Sequence, residues 1–160
     1  MVWLAMFFIR PALFPDDRDA ALSIWREFVA SPSVSLDYQG NEAEFAALPG
    51  KYAPPQGRLL LADADSSIMG CIALRKVDDA ICEMKKLYVR PAARGFGLGV
   101  RLIERLIAEA RTAGYAEMRL DVLPEFVRAR QIYAEFGFTP SDPVSFNPVP
   151  GAEFLGLSLR

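Results

Sequence analysis

The 160-residue sequence predicts an α+β fold, a mixed, mostly antiparallel central sheet of six to seven strands flanked by helices. Three observations lead there. Residues 58–89 hold three strand-like runs joined by short turns, the pattern of an antiparallel meander. An amphipathic helical stretch comes next and then another strand, so the strands on either side of that helix must run parallel. A hydrophobic content of 52%, with no repeat or long linker to divide the chain, makes residues 1–160 one domain with a sizeable core.

Residues 2–10 are apolar enough for a first strand, and 16–30 form a first helix with Ala20, Ile24, Trp25 and Phe28 on one face. Asp16 and Asp17 stand at its start, where the helix dipole favours negative charge. Residues 41–48 predict a short helix closed by Pro49-Gly50, and Pro54-Pro55 keep 51–57 irregular by removing backbone donors. Strands over 58–64, 68–77 and 81–89 follow, the last two joined at Asp78-Asp79. The helix over 97–113 buries Leu98, Leu102, Ile103, Leu106, Ile107 and Ala110, and Gly114 stops it. A strand over 116–123 leads to a helix opened by Pro124, ending at Phe136 and capped by Gly137. Strands near Ser145 and over 153–158 close the chain.

A net charge of −2 argues against a general nucleic-acid surface. The two cysteines, Cys71 and Cys82, are too few for a disulfide scaffold and lack metal-ligand spacing. Without a single histidine, a histidine-based triad or histidine-ligated zinc is excluded. The apolar start is far shorter than a membrane span and lacks signal-peptide features, so a cytoplasmic protein is expected.

The stretch RGFGLGVRLIERLIAEA carries Gly95, Gly97 and Gly99 at the mouth of the best helix. A strand, a glycine-rich turn and a helix N-terminus together make an anion site, because the first-turn amides point outward and the dipole is positive there. Lys85, Lys86, Arg90, Arg94 and Arg101 surround it, with no acidic residue between Met84 and Ile103, which reads as attraction for a polyanion. Neither common nucleotide motif fits. Gly99-Val100-Arg101 stands where a Walker loop needs Gly-Lys-Ser/Thr, and Val100 stands where the dinucleotide fingerprint needs glycine.

Arg94-Gly95-Phe96-Gly97-Leu98-Gly99 resembles the Arg/Gln-x-x-Gly-x-Gly/Ala acyl-CoA motif of the GNAT (Gcn5-related N-acetyltransferase) superfamily. LYVRPAARGFGLGVRLIERLIAEA resembles that family's fourth strand, pyrophosphate loop and third helix, and ARQIYAEFGF (129–138) its later helix. The likeness spans roughly residues 58–140. It implies a GNAT fold over 1–160 and an N-acetyltransferase that moves acetyl from acetyl-CoA to a primary amine by direct attack, with no metal.

The resemblance also implies site residues. Leu87, Tyr88 and Val89 would offer backbone to the pantetheine arm, with the Leu87 amide holding the oxyanion. Arg94, Gly95, Phe96, Gly97, Leu98, Gly99 and Val100 would hold the pyrophosphate. Tyr133 would protonate the leaving thiolate, or belong to the core stripe of Phe126, Ala129 and Phe136, or both. Glu83 would help deprotonate the amine, or be an edge charge paired with Lys85 or Arg75; strand alternation sets it on one face with Lys85, Leu87 and Val89, and Asp121 or a water are alternatives as the base. Phe126 departs from the family, which often has a cofactor-touching asparagine there. Arg128 and Arg130 are candidates for the 3′-phosphate.

The implied partners are acetyl-CoA and an unidentified amine, with no nucleic acid or membrane, and a homodimer stays open. The acceptor pocket is expected from the first helices, from residues 38–56 with Tyr38, Glu42, Glu44 and Tyr52 as candidate groups, and from residues 146–154. A different class stays open as well: an acyl-CoA-binding sensor without turnover.

Overall fold

A computed structural model describes residues 6–37 and 40–160. Part of the expected first strand, residues 2–5, lies outside them, as does Tyr38. Among the described residues, one seven-stranded sheet has the order β1-β2-β3-β4-β5-β7-β6. Its strands are β1 (Phe8–Pro11), β2 (Arg58–Ala64), β3 (Ser67–Lys76), β4 (Ile81–Val89), β5 (Glu117–Val122), β6 (Thr139–Pro140) and β7 (Glu153–Ser158). Helices α1 (Arg18–Ala30) and α2 (Asn41–Ala47) cover one face, and α3 (Leu98–Thr112) and α4 (Val127–Phe136) belong to the core on the other. No helix among the described residues is long and apolar enough to cross a membrane.

The meander β2-β3-β4 is antiparallel, and β4 pairs β5 in parallel through the α3 crossover. Asp65 and Ser66 both adopt positive φ between β2 and β3, the two-residue turn that suits twisted hairpin strands. The Asp78 carboxylate accepts from the amides of Ala80 and Ile81 at 2.8 Å, closing the next turn. Every residue expected on the buried side of α3 is buried. Gly70 on β3 lets α3 approach, since a Cβ there would meet Leu98 and Leu102 side chains at 3.1 Å.

Three expectations shift. α1 starts at Arg18 because the Asp17 carboxylate is taken by the Leu13 amide and the Arg10 guanidinium, each at 2.7 Å. α4 starts at Val127, with Pro124 left in the preceding turn. No strand forms near Ser145, because Pro143, Pro148 and Pro150 strip donors from that segment; the other closing strand is β6, beside β7.

A bulge in β4 has the largest consequence. Cys71 pairs with Tyr88 but Ala73 pairs with Lys85, so β4 carries one extra residue, and Lys86 takes φ +60°. The left-handed region costs an L-residue roughly 1–2 kcal/mol, so the surroundings must hold it there. The Lys86 ammonium lies 2.8 Å from the Glu44 carboxylate on α2 and 5.4 Å over the Trp25 ring. Glu44 also accepts from the Tyr52 hydroxyl at 2.8 Å and pairs with Lys51 at 3.0 Å. The extra residue reverses the alternation: Leu87 and Val89 pack with the α3-side core, while Glu83 pairs with Arg75 and Tyr88 packs on the α1 side. Glu83 therefore does not share a face with Leu87 and Val89, as uninterrupted alternation would have it.

Burial pushes the Glu44 carboxyl up, but the Lys86 charge and its hydrogen bonds outweigh that and hold it at about 2. A carboxyl depressed by folding stabilises the protein above its ordinary pKa of 4.5, and that contribution fades as pH falls toward 2. Denaturant unfolding between pH 7 and pH 2.5 should therefore show a loss that Glu44→Gln largely removes. At pH 7 this variant should itself be destabilised by roughly 3 kcal/mol, because it strands a buried ammonium. A pH profile identical in the two proteins would refute the coupling.

Candidate active site

β4 and β5 pair only from Ile81 to Glu83. Beyond that, each strand follows its other neighbour: Tyr88 and Val89 stay with β3, while Leu120 to Val122 stay with β7. The parallel pair splays, and a cleft of about 620 Å³ opens between Met84–Val89 on one lip and residues 120–123 on the other. Arg94, Gly95, Gly97, Leu98, Gly99 and Val100 border one end, and α4 contributes Ala129, Ile132 and Tyr133.

The glycine turn is built to bind. Gly95 has φ +88° and Gly97 φ +78°, so the chain enters α3 by a path that side chains resist. No acceptor among the described residues takes the amides of Gly95 through Val100, and no side chain caps the helix. A Cβ placed on Gly95, Gly97 or Gly99 would meet nothing within 4 Å, so the turn borders open space. This cradle suits the oxygens of a phosphate group, and hence the pyrophosphate of a CoA.

The surrounding basic residues divide sharply. Lys86 is buried against Glu44. Arg90 binds Glu27 at 3.1 Å and the Ile68 carbonyl at 2.7 Å, and Arg101 binds the Phe7 carbonyl at 3.0 Å. These three are structural, which corrects the reading of the whole group as a polyanion attractor. Arg94 and Lys85 line the cleft with no carboxylate partner among the described residues. The Arg94 guanidinium lies 5.6 Å over the Tyr88 ring and donates to the Val89 carbonyl at 2.9 Å.

Leu87, Tyr88, Val89, Arg94, Gly95, Gly97, Leu98, Gly99, Val100 and Tyr133 all line the cleft. Phe96 does not; its ring turns outward to Phe7, centroids 6.3 Å apart. Tyr133 is 5% exposed and stands edge-on to Phe138, so it is both a core residue and a cleft residue. Its hydroxyl makes no hydrogen bond among the described residues, and burial, then the Asp121 charge, pushes the phenol well above its usual range.

The two carboxylates part company. Glu83 is fully buried outside the cleft lining, held by Arg75 at 2.8 Å and by the Ser145 hydroxyl at 2.7 Å. Asp121 lines the cleft and accepts from the Asn147 amide at 2.8 Å. Arg128 lines the cleft, whereas Arg130 is bound to Glu153 and the Pro124 carbonyl. Of the suggested acceptor-side groups, Tyr52 and Glu44 belong to the network under Lys86, and Glu42 pairs with Arg26 on the surface. Phe28 of the first helix and Asn147 of the 146–154 segment do line the cleft, joined by Leu36 and Glu125. Leu36 and Glu125 carry no local signal, because loops bring them in. Phe28, read from sequence as a buried helix position, sits with its ring 6.0 Å from Tyr88 and 6.4 Å from Phe126.

Comparison with known proteins converges on one family. The family model described as Acetyltransferase (GNAT) family matches residues 21–138. An uncharacterized N-acetyltransferase of Schizosaccharomyces pombe is 35% identical over 147 residues, 91% of this chain and 90% of the relative. The fold is similar to an acetyltransferase of the GNAT family from Staphylococcus aureus Mu50 (TM-score 0.80, 18% identity, 96% of this chain and 99% of that one). It is also similar to YncA of Salmonella typhimurium, a structure containing its cofactor acetyl-CoA (TM-score 0.70, 24% identity, 97% and 95%). Splayed strands, a cradle of free amides and these likenesses lead to one conclusion: the chain belongs to the GNAT family of acetyltransferases.

Proposed function

We propose that the protein transfers the acetyl group of acetyl-CoA to a primary amine by direct attack. The observation that carries this reading is the alignment, along one cleft, of a run of unpaired amides, an unpaired strand edge and a buried, unbonded phenol. Acetyl-CoA supplies a thioester whose carbonyl carbon the amine attacks.

The Gly95–Val100 amides hold the pyrophosphate, with Arg94 beside them, and Arg128 meets the 3′-phosphate. Leu87, Tyr88 and Val89 lend the pantetheine arm a strand edge, and the Leu87 N–H donates to the thioester oxygen as negative charge builds there. Tyr133 gives its proton to the departing sulfur, and the absence of a competing hydrogen bond leaves its hydroxyl free to do so.

We assign the base to Asp121, directly or through one water, because it is the carboxylate of the pair that reaches the cleft. Glu83 acts as a positioning residue. It grips Ser145, two residues before the Asn147 that orients Asp121.

Calorimetric titration tests the cofactor first. The protein should bind acetyl-CoA saturably and ATP far more weakly. Gly99 has an ordinary φ and open space around it, so Gly99→Val should fold normally yet fill the cradle. Its acetyl-CoA affinity should drop about tenfold or more, a loss of about 1.4 kcal/mol. Unchanged affinity would remove the loop from the site.

Once an acceptor is in hand, Tyr133→Phe should cut kcat by about 100-fold, the low end for a general acid, with acetyl-CoA affinity kept. A phenol held above its usual range stays protonated through alkaline pH, so Tyr133 should contribute no falling limb to the parent rate near pH ~10. A limb there that vanishes in the phenylalanine variant would contradict the environment assigned to Tyr133.

A further inference from the structure

Lys85 and Asp121 face each other across the opened sheet. The last parallel pair is Glu83 with Arg119, so two residues further along each strand brings Lys85 level with Asp121. Both stand on the α1/α2 side. Lys85 is registered with Ala73, which is buried in that core, and its charge acts on Lys86, which lies over Trp25 there. Asp121 alternates with Leu120 and Val122, which belong to the α3-side core. Lys85 and Asp121 both line the cleft, yet they form no ion pair with each other. Among the described residues Lys85 has no acceptor, and Asp121 has only the neutral Asn147 amide.

Position along β4 separates Lys85 from the phosphate end. The amide cradle lies beyond Val89, whereas Lys85 precedes Leu87, on the far side of the reacting carbon. What Lys85 meets is the acceptor. The same cleft has apolar lining: Phe28 bridges from Tyr88 to Phe126, and the buried Leu36 also lines it, while the Glu125 carboxylate is taken up by Ser33. A cation on one lip, an anion on the other and apolar side chains in the same cleft complement a small zwitterion with an apolar side chain.

We propose, resting on the acetyltransferase reading above, that the acceptor is a free α-amino acid with an apolar or aromatic side chain. Its ammonium meets Asp121, its carboxylate meets Lys85, and its side chain lies against Phe28 and Leu36. The ammonium gives one proton to Asp121, and the amine nitrogen bonds to the acetyl carbon as the carbon–sulfur bond breaks. Tyr133 protonates the sulfur and is reprotonated by the second nitrogen proton. The products are an N-acetyl amino acid, the CoA thiol and one proton, which Asp121 returns to solvent.

The test compares phenylalanine, phenylalaninamide and phenethylamine, and the matching leucine series, as acceptors with saturating acetyl-CoA. The free acids should exceed their amides and decarboxylated amines in kcat/KM by about tenfold or more, the value of one charge-assisted contact. Lys85→Met should erase that preference chiefly through KM, and Lys85→Arg should restore most of it. Thermal unfolding of both variants at the parent temperature keeps the comparison about binding. An equal or better rate with the amides or amines overturns the proposal, as does acetylation of none of the six by a protein that binds acetyl-CoA. A protein that does not bind acetyl-CoA instead overturns the reading on which the proposal stands.

Discussion

Strand β4 cannot satisfy both neighbours along its whole length, and the site depends on that conflict. It stays with β3 to its last residue, and it leaves β5 after Glu83 because β5 is held to the end by β7. The bulge at Lys86 sharpens the divergence, since an extra residue on one strand bends it and increases its twist. An unpaired strand edge is ordinarily a liability, open to non-specific pairing. Here it lies inside a cleft, where a linear ligand arm can complete it.

The conformation of Lys86 is expensive, and its surroundings compensate. A lysine in the left-handed region, with its ammonium buried, persists because Glu44 pairs with it, Tyr52 and Lys51 hold Glu44, and the Trp25 ring lies beneath it. That network belongs to α2 and the segment after it, so the α1/α2 layer does more than cover the sheet. It holds the backbone from which the Leu87 amide points. Gly70 has the complementary role on the opposite face, letting α3 settle close enough to bring its free N-terminal amides to the end of the same strand.

Charge along the cleft is graded by position. Unbonded amides and Arg94 make one end positive, the middle holds the buried Tyr133 phenol, and the inner end sets Lys85 opposite Asp121. Desolvation raises the Tyr133 phenol and the Asp121 charge adds to it, so the acid is kept in its proton-bearing form by the same carboxylate proposed as the base. Cys71 and Cys82, both buried and both raised to about 12, take no part in this chemistry.

Local pattern alone determined a good deal of this protein. The amphipathic stripe of α3, the meander, the parallel crossover and the glycine turn are short-range consequences of periodicity and backbone freedom, and all are found where the residues put them. Tertiary structure decided the rest, for physical reasons. The bulge at Lys86 is invisible in a run of strand-forming residues, because it is stabilised by Glu44, 42 positions earlier in the chain. It reversed the faces of β4 between Glu83 and Leu87, while Glu83 stays outside the cleft because β4 is still paired with β5 at that point. Three of the five basic residues around the glycine turn proved to be tied to carboxylates or carbonyls that no local window contains. Phe28, Leu36 and Asn147 reach the cleft only through folding, from a helix and two loops far apart in sequence. A sequence records what each segment prefers, but which unbonded groups share one cavity follows from long-range pairing.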